Sequence, residues 1–523
     1  MINDHVPFLP LPDTAMSYSD RWVIPRTDGT FLVPFLPAIL IKFWNIGQKF
    51  PCITIGTLPN ELLVEIFDWC RLDDEHGWNH RHRWYKLLQV CRRWRYVTLE
   101  WKSRLKLRIQ CNFANRRTTM LSHLTQIPLI ISFKFHARNP TPSKKKLLLA
   151  LQNPDRVSSV SIDHWCLGDL ELRRALDNTF PLLDILSLSE DYGCRFLPDN
   201  FVAPHLRVLH LQNITISRGS LLLANATNLS SLRLESIPGF DYFPPEYLAE
   251  CMASMPHLDN LSISFLPNSP LPDTVVELPH THITRFALPR LSRLIYAGIS
   301  LYMENLLTRI SAPFLQDFRF TTSSKEILAV NRLSAFLGTI KYPSIGTAVA
   351  SFSPVSVTIT FHPKQPSVAS DYFVFTVLHT YDRVRAVDCA TQICNAVAPA
   401  FGDVERLELE SDTHYLRESS FSIQHTLWHA FLRLFGGVKT LRVDTILARE
   451  LSDALHSNDV AAIQDLLPVL SELVVFGQDL VHQPFSSFIH ARRLAGLSID
   501  SRINEDLPSS LPPPPISWSF DTF

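Results

Sequence analysis

The chain has 523 residues, of which 46% are apolar and 19% charged, so it can build a large core but is too long for a single one. Its 49 Lys and Arg residues balance 50 Asp and Glu residues, and a net charge of -1 argues against nucleic acid or a membrane surface as partner. Nine cysteines without a C-x-x-C pair favour reduced thiols. We therefore expect an intracellular protein, cytoplasmic or nuclear.

Residues 1–50 form an apolar N-terminal extension to which the sequence assigns no role. Its most apolar stretch, "FLVPFLPAILIKFW" at 31–44, contains two prolines and a lysine. A helix that spans a bilayer needs about 20 apolar residues, so this stretch is too short. We expect no membrane segment.

The stretch "TLPNELLVEIFDWC" at 57–70 predicts an amphipathic helix. Thr57 can cap it, and Pro59 suits its first turn because the N–H that proline lacks has no partner there. Apolar residues recur at helical spacing, namely Leu62, Leu63, Ile66, Phe67 and Cys70. About three turns of helix are expected.

A second apolar run, "RWYKLLQVCRRWRYVTLEW" at 83–101, also has helical spacing. Three arginines, Arg92, Arg93 and Arg95, lie between its apolar residues and are expected to form a solvated face, with phosphate contact as the alternative. The whole segment predicts a bundle of two or three short helices, close to the lower size limit for independent folding.

These two blocks resemble the F-box, particularly that of fungal F-box-like proteins. The resemblance is carried by Leu58-Pro59-x-Glu61-Leu62-Leu63-x-x-Ile66-Phe67, by Val90-Cys91-Arg92-x-Trp94-Arg95 and by Trp101. It implies docking onto a Skp-type adaptor and, through it, a cullin. A helical hairpin buried against the chain's own C-terminal region is the alternative. The candidate adaptor-facing residues are Leu58, Pro59, Leu62, Ile66 and Phe67, and the expected bundle core is Leu63, Val90, Cys91 and Trp94.

The rest of the chain repeats a short apolar pattern. Twelve segments match L-x-x-L-x-L with related apolar residues, and their first anchors lie at 157, 183, 206, 229, 258, 291, 315, 384, 404, 438, 470 and 494. In six of them a proline precedes the first anchor by two residues, which is more than 37 prolines in 523 would give by chance. A further strand near "VSVTITF" at 355–361 is expected to fill the 69-residue gap.

Helical stretches lie between these segments, so strand and helix alternate. The array resembles a leucine-rich-repeat solenoid with a parallel sheet, although Ile214, Ile237, Leu266 and Asp412 occupy the positions usual for an Asn or Cys ladder. An ordinary α/β domain with a parallel sheet is the alternative. The expected class is α+β, with residues 51–101 as an F-box-like bundle, 102–500 as a curved solenoid and 501–523 as a Pro-rich tail.

Strand residues between the buried anchors should share one exposed face of the sheet. Those residues are His210, Gln212, Arg233, Glu235, Ser262, Arg319, Thr321, Asp388, Arg406, Glu408, Glu410, Arg442, Asp444 and Glu472. Mixed signs disfavour nucleic acid, and the more acidic later units could suit a basic segment of a protein client. Arg406, Glu408, Glu410, Arg442 and Asp444 are therefore the candidate client-binding residues.

No motif for catalysis is apparent: the chain lacks G-x-G-x-x-G, G-x-x-x-x-G-K-S/T, G-x-S-x-G and H-E-x-x-H. Cys70, His76, His80 and His82 lie close in sequence, but their spacing matches no zinc finger or ribbon. We expect no cofactor and no enzyme. The sequence therefore predicts a non-catalytic substrate-recognition adaptor of a ubiquitin ligase; the alternatives are a solenoid scaffold without ligase coupling and, third, an enzyme.

Overall fold

A computed structural model describes much of the chain. The described residues are 57–72, 84–112, 124–134, 141–163, 170–190, 195–217, 220, 222–237, 243–266, 285–323, 328, 330–341, 345–364, 373–379, 383–398, 404–411, 425–455, 465–477 and 485–504. They fall into two compact units: residues 57–72 with 85–101, and Trp84 with the described residues from 102 onward. The predicted 1–50 extension, His76, His80, His82 and the side chain of Cys70 lie outside the described part.

The first unit consists of helices α1 (Asn60–Leu72), α2 (Trp84–Val90, without its first residue) and α3 (Arg92–Glu100). The carbonyl of Pro59 accepts the first helical hydrogen bond, from the N–H of Leu63, at 3.1 Å. Pro59 therefore precedes α1 instead of lying in its first turn. The predicted helical bundle is present, and α3 begins directly after α2.

The described residues of the second unit form twenty strands. They are β1 (Ile109–Asn112), β2 (Leu129–Lys134), β3 (Val157–Asp163), β4 (Ile185–Ser189), β5 (Arg195–Phe196), β6 (Val208–Gln212), β7 (Ile214–Thr215), β8 (Ser231–Ile237), β9 (Asn260–Phe265), β10 (Phe286–Ala287), β11 (Arg293–Ala297), β12 (Ile310–Ser311), β13 (Asp317–Ser323), β14 (Ile345–Phe352), β15 (Ser356–Pro363), β16 (Phe373–Leu378), β17 (Arg406–Ser411), β18 (Thr440–Asp444), β19 (Glu472–Phe476) and β20 (Asp500–Asn504). Sixteen form one sheet, and β5–β7 and β10–β12 form two small parallel pairs.

The order of the large sheet is β1-β2-β3-β4-β6-β8-β9-β11-β13-β16-β15-β14-β17-β18-β19-β20. Its described pairings are parallel except that β15 is antiparallel to both β14 and β16. The chain thus passes from β13 to β14, three positions further along, and returns through β15 and β16 to fill the two positions between them. The predicted large parallel sheet is confirmed, with a three-stranded meander inserted into it.

The helices of this unit lie between strands along the chain, although not between every two. They are α4 (Thr141–Leu151), α5 (Leu170–Leu176), α6 (Leu222–Asn225), α7 (Pro245–Ala253), α8 (Ser300–Leu307), α9 (Leu333–Leu337), α10 (Arg383–Val397), α11 (His425–Arg433), α12 (Thr445–Leu455) and α13 (Ser486–Leu494). Strands β4, β6 and β11 alternate buried and half-buried residues, because one face packs in the core and the other does not. The anchors of the repeat are the buried set.

Two segments of the predicted repeat are wrong. The segment anchored at 384 is not a strand but part of α10, so Asp388 lies on a helix. The segment anchored at Leu494 ends α13, where Leu494 is 75% exposed, and the strand begins only at Asp500. β20 also runs past the predicted start of the tail at residue 501. The strand expected near 355–361 is present as β15, but it is antiparallel.

In one unit of the repeat, an asparagine lies one residue before the position where the sequence pattern expects a ladder asparagine. Asn213 has a φ of 56° and lies between β6 and β7. Its side-chain amide donates to the carbonyl of Glu190 at 2.7 Å, and its N–H donates to the carbonyl of Glu235 at 2.9 Å. Asn213 therefore bonds to both neighbouring units, a role that the sequence pattern sought at Ile214.

Candidate interaction surfaces

One apolar stripe of α1 is buried within the helical unit. Leu63, Val64 and Phe67 are 1%, 0% and 2% exposed, and the ring centroid of Phe67 lies 4.9 Å from that of Trp94 on α3. The prediction that Phe67 faces a partner is therefore wrong, because its ring fills the contact between α1 and α3. Leu63 and Trp94 pack internally as predicted.

A second apolar stripe of α1 is open. Leu62 and Trp69 are 49% and 55% exposed, and Ile66 between them is half-buried. Residues at i, i+4 and i+7 lie on one side of a helix, so these three form a continuous surface, the α1 stripe. The sequence reading identified Leu62 and Ile66 as partner-facing but missed Trp69. The same spacing, extended by three residues, would have found it.

Arg93 fixes the start of α1 against α3. Its guanidinium donates to Asn60 Oδ1, with Nη2 at 2.9 Å and Nε at 3.1 Å, and to the carbonyl of Leu58. Arg95 Nε donates to the carbonyl of Leu88 at 3.0 Å. Two of the three arginines thus make hydrogen bonds within the bundle, while Arg92 and Arg95 are exposed, as a solvated face requires, and only Arg93 is half-buried. Beside them, Leu58 is half-buried and Pro59 exposed.

Val90 and Cys91 do not belong to the bundle core. Val90 ends α2 and is 57% exposed. Cys91 is exposed and is the N-cap of α3, where its Sγ accepts a hydrogen bond from the N–H of Trp94 at 3.4 Å. The junction between two consecutive helices needs a cap, and this need overrides the apolar spacing that suggested burial.

In the large sheet, the residues that alternate with the buried anchors share one face, which we term the polar face. One row of strand partners runs through Ser187, His210, Arg233, Ser262, Ile295, Arg319, Val374, Thr360, Val349, Glu408, Arg442, Val474 and Arg502. The predicted set lies on this face, except for Asp388. The alternation of anchors was sufficient to predict it, because neighbouring strands are in register.

An array of polar side chains crosses strands β4, β6 and β8 on the polar face. Ser187 Oγ lies 3.3 Å from His210 Nδ1, and His210 Nε2 lies 3.3 Å from Glu235 Oε2. The contact with His210 lowers the pKa of Glu235. Ser187 lies in the middle of the regular strand β4. These three side chains therefore form a network of polar contacts between neighbouring strands.

A buried carboxylate joins β11 and β13. Asp317 is 3% exposed, and its carboxylate accepts from Arg293 Nε at 2.9 Å and from Arg319 Nε at 2.9 Å. Arg319 Nη2 adds a contact of 3.2 Å. Two cations thus surround one anion, and the cluster has a positive excess.

The candidate client-binding residues on β17 and β18 have unequal roles. Glu408 is 9% exposed and accepts from Arg442 Nη1 at 3.0 Å. Asp444 is 7% exposed and caps the start of α12, since its Oδ1 accepts from the N–H of Ile446 at 2.8 Å. Asp444 thus serves the fold. Arg406 is exposed and Glu410 is half-buried, so both remain accessible.

Glu410 is electrostatically strained. Burial raises its pKa, and the nearby carboxylates Glu408 and Asp444 raise it further, while Arg442 opposes them. A raised pKa means that the ionised form is destabilised in the folded protein.

Glu410→Gln is therefore expected to raise the melting temperature at pH 7, by about 1 °C. The cost of ionised Glu410 is fully present above its folded pKa and disappears below the unfolded pKa of about 4.3, so the gain should shrink as the pH falls towards 5. Calorimetry at pH 5 and pH 7 measures it. Glu405→Gln is the control, and it should lower the melting temperature at pH 7. Lys364 and Lys439 lower the pKa of Glu405, so its ionised form is stabilised in the folded protein. Equal melting temperatures at pH 7 for wild type and Glu410→Gln would contradict the assignment.

Among the described residues, no group of three or more His, Cys, Asp or Glu side chains could hold a metal ion. In the same part of the chain, no helix has both the length and the apolarity to cross a bilayer. A cavity of about 30 Å³ lies behind the sheet and is lined by Phe361, Cys394, Val397, Ala398, Val404, Leu434, Phe435 and Gly437. It is large enough for about one water molecule, not for an organic ligand.

Comparison with known families gives a match that covers the helical unit. Residues 55–104 match a family model described as F-box-like, and this range contains α1, α2 and α3. No curated protein matches the chain in a sequence search. F-box domains typically bind Skp-type adaptors, and the proteins that contain them are typically non-catalytic adaptors of ubiquitin ligases. The resemblance seen in the two sequence blocks is confirmed for this segment.

Proposed function

We propose that this chain is the substrate-recognition adaptor of a ubiquitin ligase of the Skp, cullin and F-box type. The α1 stripe docks onto the Skp-type adaptor, which links the chain to the cullin, and the polar face of the sheet holds a protein client. The chain itself is non-catalytic, because other subunits transfer ubiquitin.

The open α1 stripe carries the docking half of this proposal. A helix in so small a bundle would normally bury a large apolar residue, yet Leu62 and Trp69 are each about half exposed. Their neighbours Leu63, Val64 and Phe67 already provide the internal packing. The stripe is thus available to a second polypeptide, and it lies in the segment that matches the F-box-like family.

The extended sheet carries the client half. Its polar face offers half-exposed side chains of both signs on many neighbouring strands, which suits a polypeptide better than a polyanion. A cytoplasmic or nuclear location follows from this function.

Co-expression tests the proposal. The full-length tagged chain is produced together with a Skp-type adaptor, and we expect the two to co-purify and to elute together in size-exclusion chromatography. Leu58→Ala/Pro59→Ala should reduce the complex, because both residues flank α1 next to the stripe. Two soluble proteins that elute separately would refute the ligase role and favour the scaffold without ligase coupling.

A further inference from the structure

The inserted meander changes the chemistry of the polar face. Its residues form two uncharged rows, Val374-Thr360-Val349 and Thr376-Thr358-Ser351, which we term the threonine patch. Thr358 Oγ1 and Thr376 Oγ1 lie 3.2 Å apart. All six residues are half-buried except Val349, which is 7% exposed. Within β14, β15 and β16 the polar face has no Asp, Glu, Lys or Arg, and burial lowers the pKa of His362 at its end, favouring the neutral ring.

Charges of opposite excess border the threonine patch. On one side, Arg319 is the strand partner of Val374 and belongs to the cluster in which Arg293 and Arg319 share the single carboxylate of Asp317. On the other side, Glu408 is the strand partner of Val349. The polar face is therefore positive, then neutral, then negative across consecutive strands.

The negative side stays negative when all its charges are counted. On β17 and β18, the polar face presents two arginines against three carboxylates, Arg406 and Arg442 against Glu408, Glu410 and Asp444. Arg442 pairs with Glu408 at 3.0 Å. Glu410 is thus crowded by its own sign, and a cation placed beside it would relieve the repulsion.

Building on the proposed function, we infer that the client of this face is an extended protein segment with an acidic residue, about five uncharged residues and a basic residue. The acidic residue lies over the Arg293–Asp317–Arg319 cluster, the uncharged residues cross the threonine patch, and the basic residue lies beside Glu410.

The spacing follows from sheet geometry. β13 and β17 are four strand positions apart, through β16, β15 and β14. Neighbouring strands are about 4.8 Å apart, so the two charged borders are separated by about 19 Å. An extended chain rises about 3.3 Å per residue, so about six residues cover this distance.

A polyanion is a poor occupant of the same surface. It would satisfy the positive border but bring its next charges towards Glu408 and Glu410, where like charges repel. A peptide can place one charge of each sign, and its uncharged middle can contact the threonine methyl groups and hydroxyls. A ligand that complements both charged borders must therefore carry an acidic group at one end and a basic group at the other, which a polypeptide can do.

A phage-displayed library of random 12-residue peptides, selected on the full-length protein, tests the inference. We expect enriched peptides to contain one acidic and one basic residue five to seven positions apart, in either chain direction. In fluorescence anisotropy with an enriched peptide, Arg293→Gln/Glu410→Gln should weaken binding at least tenfold. Glu410→Gln alone should already weaken binding, and unfolding cannot explain that loss because the change is expected to stabilise the fold. The melting temperature of the double variant shows whether Arg293→Gln, which removes one partner of the buried Asp317, leaves the sheet folded.

Two comparisons make the test specific. Arg233→Gln/Glu472→Gln removes the same charges from the same face outside the β13–β17 region, and it should change affinity less than twofold. Glu410→Lys should lose the enriched peptide but bind the version in which the basic residue is replaced by Glu. Peptides without charge order, an equal loss in the control variant, or no selected peptides would each overturn the inference. Adaptor co-purification is a separate measurement and would be unaffected by any of these outcomes.

Discussion

Replacing Leu62 and Trp69 with alanine is expected to weaken the affinity for a Skp-type adaptor several hundredfold while the helical unit stays folded. Large apolar residues at the centre of an interface contribute about 2 kcal/mol or more each, and each 1.4 kcal/mol is a factor of ten in Kd. Because both side chains are about half exposed in the free chain, their truncation removes little internal packing. Calorimetric titration of the purified adaptor into the full-length variant measures the effect.

Two further variants separate docking from folding. Leu149→Ala truncates a leucine with the same 49% exposure on α4 and should leave the affinity unchanged. Phe67→Ala should mainly destabilise the helical unit, by about 3–5 kcal/mol, because it removes a buried ring that contacts Trp94. If Phe67→Ala abolished binding at an unchanged melting temperature while Leu62→Ala/Trp69→Ala still bound, the docking surface would lie elsewhere on the unit.

The division of α1 into two apolar stripes shows what the sequence could and could not predict. The period of 3.6 residues predicted the helix, and the family resemblance placed it at an interface. Neither distinguishes the stripe that faces α3 from the stripe that faces outward, because both are equally apolar. Phe67 was assigned to the wrong stripe for this reason. The distinction depends on where the ring of Trp94 packs, which is a tertiary contact.

For the sheet, the repeat predicted local structure better than topology. The anchors at 157, 183, 206 and 229 precede or begin strands β3, β4, β6 and β8, because alternation is a local property. The order β13-β16-β15-β14-β17 is not local, since it depends on which edges pair after a long connection. The threonine patch arises from this reordering, so no inspection of single segments could reveal it.

The apolar triplet at 384 shows a second limit. "VRAVDCATQICNAV" has apolar residues at spacings that fit both a strand triplet and a helix, and the structure forms the 15-residue helix α10. Length decides the ambiguity, because a strand rarely exceeds ten residues whereas a helix of this length is ordinary. Asp388 was assigned to the polar face only through this misreading.

Replacing Arg492 with methionine is expected to destabilise the C-terminal end of the sheet by about 3–5 kcal/mol, the cost typical of breaking a buried charged network. Arg492 on α13 is 0% exposed, and burial lowers its pKa. Its Nη1 donates to the carbonyls of Leu466 and Leu467, both at 3.1 Å, and its Nη2 lies within 3.3 Å of the carbonyl of Pro468 and 3.4 Å of that of Leu470. Methionine has a similar length but no donor, so four carbonyls in the turn before β19 lose the guanidinium, and among the described residues only that of Leu467 keeps a backbone donor, the N–H of Leu470 at 3.1 Å.

Hydrogen exchange of the full-length protein measures this loss, because local opening reports the stability of one region even when the chain contains two units. We expect faster exchange over 465–477 in Arg492→Met, with the α1–α3 unit unaffected. Arg493→Met is the matched control, since Arg493 is the next residue of the same helix and is exposed. Arg492→Lys should restore part of the protection, because an ammonium group donates but cannot reproduce the fork of a guanidinium. Wild-type exchange in Arg492→Met would mean that the turn is held by the backbone of Leu467, whose φ of 53° already sets its direction, and that Arg492 only fills space.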